Sequence, residues 1–169
     1  MSGEIQNRVA NSKLITIDLI DYAPTDQILE LDLKQFLFKG LVLKEKDFRV
    51  AIEEFEFDKY KGKIAAVFCS SDCIIPMWAF MLVTSRLANV ASEINSGDKE
   101  MVFQKLFLQN IENINDLEFQ NKKVIVKGCG EIPLGENLYV AITKKLNNTV
   151  SSLMFGEACS AVPVYKKKL

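Results

Sequence analysis

Four cysteines and no histidine set the chemistry open to this chain. Without imidazole there is no Ser-His-Asp or Cys-His catalysis, no His-ligated metal and no histidine base. Proton transfer therefore falls to carboxylates, Lys, Tyr or Cys. Cys69, Cys129 and Cys159 each stand at the end of, or shortly after, a segment that reads as a β-strand. Their sequence intervals are too wide for a zinc knuckle, so only a folded sheet would bring them together. In open α/β sheets ligands bind outside the carboxyl ends of the strands, which is where parallel strands would place all three thiols. Three thiolates and one further donor make a tetrahedral zinc or iron site. Asp72, Cys73, Glu131 and Glu157 lie near these thiols in sequence, with Asp72 or Glu157 expected to complete or tune the site. Cys73 ranks lower as a participant, because its C-x-x-x-C spacing from Cys69 is not the redox C-x-x-C.

Two other readings use the same residues. In one, a single cysteine is the nucleophile of a persulfide- or acyl-transfer enzyme. Cys129 fits best there, since Gly128 and Gly130 let a substrate approach the backbone. Cys69 and Cys129 precede predicted helices, whose N-termini favour a thiolate, and Lys127 would add a positive charge. In the other, the cysteines are small core hydrophobes of a scaffold or interaction domain, for which a homodimer is the commonest state.

The elements that would position these groups are legible in outline. Leu14–Leu19 and Ile28–Leu33 alternate like strands, with turn residues Tyr22–Asp26 between them. Lys44–Phe55 has helical spacing. Ile64–Cys69 is the continuous apolar run of a buried parallel strand. A helix follows from Pro76, a short strand runs near Ser92–Ile94, and Asp98 caps a helix to about Ile111. Lys123–Lys127 is a strand, Pro133 opens a helix to about Leu146, and Val150–Phe155 returns as a strand. Alternating strands and helices predict an α/β fold, a mostly parallel sheet with helices packed on it and the N-terminal strands added antiparallel. Residues 1–169 read as one domain, with a polar lead-in over 1–13 and a basic tail over 166–169. Val67–Cys69 with Ile75–Pro76 is echoed by Val126–Cys129 with Ile132–Pro133; this reads as one βα unit used twice, which needs no duplication.

Composition narrows the class further. A chain of 169 residues with 49% hydrophobic and 25% charged residues is an ordinary globular balance. A net charge of −1 argues against a dedicated nucleic-acid binder. The start has no apolar signal region, and the longest apolar run, Ile74–Val83, falls short of the ~20 residues of a membrane span. We therefore expect a cytoplasmic protein with reduced thiols and no membrane partner. No dinucleotide fingerprint or P-loop is present. Trp78, Phe80, Met81 and Tyr139 are expected as packing residues, and Glu53-Glu54 as a solvated helix face.

Several stretches carry a family resemblance. They are Asn7–Ser12, Ile15–Leu19, Gly40–Arg49, Val126–Cys129 and the ending Phe155–Lys166. Together they resemble, over essentially the whole chain, an uncharacterised bacterial family found mainly in Bacteroidetes, the domain of unknown function 2480. The resemblance implies genes near those for iron–sulfur cluster assembly, protein partners in that assembly, and cysteines matching Cys69, Cys129 and Cys159. It agrees with thiolates that bind zinc or iron, or hold an iron–sulfur cluster transiently.

Overall fold

A computed structural model describes residues 14–128 and 134–168. The described strands form two sheets rather than one. One sheet has the order β1 (Leu14–Asp18), β5 (Lys123–Lys127), β6 (Ser152–Phe155), β7 (Val162–Lys166). The other has the order β2 (Ile28–Asp32), β3 (Ile64–Phe68), β4 (Glu93–Ser96). Among the described residues four helices accompany them: α1 (Glu45–Glu54), α2 (Met77–Leu87), α3 (Lys99–Glu112) and α4 (Glu136–Leu146).

The mixed α/β class and the mostly parallel pairing follow the sequence pattern. β3 is buried over Ile64–Val67, as a strand covered on both faces must be. Asp98 caps α3 as expected, its Oδ1 accepting from the Met101 N–H at 2.9 Å. The N-terminal strands differ from expectation: β1 pairs parallel to β5 and β2 parallel to β3. Period-two alternation is common to parallel and antiparallel strands, so it does not fix direction. A 3₁₀ turn over Leu19–Tyr22 also redirects the chain before any hairpin could close.

The antiparallel strand is β7, on β6. Pro163 hid it in the sequence, since proline is tolerated in a sheet only at an edge. Part of the expected basic tail belongs to this strand: Lys166 closes β7, and the Lys167 N–H donates to the Ser151 carbonyl at 3.0 Å.

The described residues gather into two compact units, one within 25–105 and the other made of those within 14–24 and 106–168. The first surrounds Leu31, Phe48, Ile52, Tyr60, Val67 and Val83. Phe48 meets Phe36 and Trp78 edge-to-face there, and Trp78 is partly buried, so it packs as expected. Glu53 and Glu54 are exposed, also as expected.

Each unit is built on the same plan. β3 and β5 start 59 residues apart, at 64 and 123. So do α2 and α4, at 77 and 136, and β4 and β6, at 93 and 152. The buried stripe of α2 (Ala79, Val83, Leu87) recurs on α4 as Leu138, Ile142 and Leu146. Phe48 and Ile52 recur as Phe107 and Ile111. The left-handed residues recur too: Gly62 and Asn121 have φ +67° and +57°, and Gly97 and Gly156 have φ +120° and +110°. The echo seen in the sequence is thus an element-for-element repeat. Its true spacing matches Cys69 to Gly128 and Pro76 to Gly135, not to Cys129 and Pro133.

Gly97 and Gly156 hold a conformation that L side chains rarely adopt. A Cβ at Gly97 would also stand 3.0 Å from Met101 Cβ, whereas the nearest atom at Gly156 is 3.7 Å away. Gly97→Ala should cost about 1–3 kcal/mol in backbone strain plus crowding, and more than Gly156→Ala. Equal denaturant midpoints for both variants and the parent would contradict this.

Candidate functional site

Parallel pairing of β2 with β3 puts Asp32 opposite Phe68, so both strands release their chains at one edge. There the Asp32 carboxylate is a hub. Its Oδ1 accepts from the Lys34 N–H at 2.9 Å and the Ser70 N–H at 3.0 Å, and its Oδ2 accepts from the Ser70 hydroxyl at 2.6 Å. Burial raises its pKa, but the hydrogen bonds from Ser70 and Lys34 outweigh this and hold it below the ordinary carboxylate range. The Ser71 hydroxyl donates to the Gly40 carbonyl, joining the turn that follows β3 to the loop closed by the Phe38–Val42 bridge. The Cys69–Cys73 turn is thus pinned at Ser70 and Ser71 before α2 begins.

Cys69 and Cys73 are both half-buried against the core of this unit. The Cys69 thiol is pushed up, first by burial and then by the charge of Cys73, a hydrogen bond with its sulfur, and the charge of Asp32; a hydrogen bond with the Ser71 backbone opposes the shift. The sequence leads one to expect the opposite, a thiolate favoured by the coming helix. Burial, the neighbouring Cys73 sulfur and the Asp32 carboxylate outweigh that helix end. Cys73, ranked low on spacing, shares the turn between β3 and α2 with Cys69. The turn residues between them, which let a C-x-x-x-C stretch fold back on itself, were the available signal.

The other sequence candidates are distributed differently. Asp72 is exposed in the same turn. Cys159 is exposed on the connection from β6 to β7, in the other unit, with Ser160 Oγ 4.0 Å from its sulfur. Glu157 is exposed nearby, 4.0 Å from the Lys127 ammonium, which also lies 3.3 Å from Asp18 Oδ2. Lys127 is thus committed to carboxylates. Cys129, Glu131 and Pro133 lie outside the described residues. Cys69 and Cys159 therefore follow strands of two different sheets, so no single sheet edge gathers them. Among the described residues, no three Cys, Asp or Glu side chains are grouped to hold a metal ion. Tyr139 meets Phe155 edge-to-face at 5.6 Å.

The sequence model of a protein family of unknown function, DUF2480, matches residues 3–167. The chain belongs to that family. Neither a curated protein nor a solved structure is similar enough to add to this. No helix among the described residues is long and apolar enough to cross a membrane.

The Asp32 hub has a pH signature. Its folded pKa is lowered, so the carboxylate contributes stability above its unfolded pKa, and that contribution is lost as pH falls through the folded value. Asp32→Ala should be less stable than the parent at neutral pH, with the gap closing below about pH 4. Denaturant titrations at a series of pH values check this; a gap constant with pH would contradict it.

Proposed function

We propose that this DUF2480 protein is an accessory thiol protein whose working group is the Cys69–Cys73 pair, a dithiol that cycles to a disulfide. The observation that carries the reading is the placement of two half-buried thiols in one short turn that the Asp32 carboxylate anchors through Ser70. Two thiols suffice for dithiol–disulfide chemistry, whereas a tetrahedral ion needs more donors than this pair supplies. Burial and its neighbours push the Cys69 thiol up, so Cys69 is assigned the second step and Cys73 the first. The Cys73 thiolate attacks one sulfur of a partner disulfide and releases the first partner thiolate. The Cys69 sulfur then attacks the mixed disulfide at Cys73 and releases the second. The two protons lost by the pair end on the two partner thiols, and two electrons pass to the partner.

Oxidation of the native protein with oxidised glutathione should join Cys69 to Cys73 within one tryptic peptide, seen as the loss of two hydrogens. Cys69→Ser should trap the mixed disulfide on Cys73. Oxidation that leaves both thiols free would reject the reading. So would near-stoichiometric zinc or iron in anaerobically purified protein that vanishes in Cys69→Ser, Cys129→Ser and Cys159→Ser but survives Cys73→Ser. That result would establish the three-thiolate metal site and its link to iron–sulfur assembly instead.

A further inference from the structure

The repeat lets one unit show what the other lacks. β4 and β6 are equivalent strands, pairing in parallel with the equivalent strands β3 and β5. On β6 the outer edge is covered by β7, which runs antiparallel with Lys166 opposite Ser152, Tyr165 opposite Leu153 and Val162 opposite Phe155. On β4, among the described residues, no strand pairs with the outer edge. The clefts beside these strands are equivalent as well. Val126, Tyr139, Thr143 and Leu153 line the one beside β6, and Val164 of β7 adds a further wall. Val67, Phe80, Thr84 and Ile94 line the one beside β4, where no strand among the described residues closes it. The covered cleft measures about 330 Å³ and the uncovered one about 550 Å³.

We propose that the edge of β4 is a peptide-binding site that takes an antiparallel strand from a partner protein, with an apolar stretch ending in a basic residue. Position fixes the chemistry. Ser152, which faces Lys166, has Glu93 as its counterpart on β4. A strand of the β7 type laid on β4 would therefore set its lysine against the Glu93 carboxylate. That is a cross-strand ion pair which β6 itself does not offer. Glu93 and Ser96 are exposed, and Ile94 is half-buried toward the cleft, where an apolar side chain of the incoming strand would add cover. Main-chain pairing supplies affinity, while Glu93 and the cleft supply selectivity.

The test uses the full chain and a labelled synthetic peptide with the sequence of residues 161–168, followed by fluorescence anisotropy. Saturable binding is expected. Glu93→Gln, which keeps a hydrogen-bonding group beside the Asn95 amide, should weaken it about two- to fivefold. Glu93→Lys should weaken it further and bind better to a peptide whose three lysines are replaced by glutamate. Absence of binding at millimolar peptide would overturn the proposal, as would equal binding by all three proteins. Concentration-dependent dimerisation that excludes the peptide and is lost in Glu93→Lys would also overturn it, by making a second copy of the chain the occupant.

Discussion

The pairing of β2 with β3 in parallel is the constraint on which the candidate site rests. Parallel neighbours cannot be joined by a tight turn, so the chain must leave β2, form a crossover and return before β3 begins. The crossover here is α1 with its flanking 3₁₀ turns. Because of it, the ends of β2 and β3 emerge together, and a carboxylate on one strand reaches the turn after the other. Asp32 uses that proximity to bind both the N–H and the hydroxyl of Ser70. An antiparallel partner would have placed the start of a strand there, with no turn for Asp32 to hold.

The same plan is used in both units, and the differences between them are informative. Asp18 and Asp32 each end a first strand and cap a 3₁₀ turn. Asp32 then anchors a turn that carries two interacting thiols, while Asp18 engages the Lys127 ammonium. The position matching Cys69 is Gly128, where a Cβ would stand 2.6 Å from the Tyr139 hydroxyl. One unit thus spends its strand-end space on a thiol pair and the other on close packing of an aromatic side chain. At the outer edges the contrast is equally plain: β6 gained a covering strand that has no described counterpart on β4.

Much of the fold was legible in the sequence, because strand and helix periods, the Asp98 cap and the apolar run at Ile64 act locally. The helix boundaries near Lys44 and Pro76 follow from the same local signals. Strand partners were not legible. Nothing in Leu14–Asp18 or Ile28–Asp32 states that these adjacent segments belong to different sheets, since that depends on contacts made more than thirty residues away. This is also why Cys69 and Cys159 read as lying at the edge of one sheet, although the strands they follow belong to two. The setting of Cys73 was hidden for a related reason: motif spacing describes familiar redox helices, not a turn held by a carboxylate thirty-eight residues distant.

The central claim is that Cys69 and Cys73 behave as one coupled dithiol. The most direct measurement is the alkylation rate of Cys69 as a function of pH, by mass spectrometry, in the parent and in Cys73→Ser. The charge and hydrogen bond of Cys73 raise the Cys69 thiol, so removing that sulfur should move the Cys69 profile to lower pH, with burial keeping part of the shift. Superimposable profiles for the two proteins would show that the thiols are independent, and the dithiol account would fail.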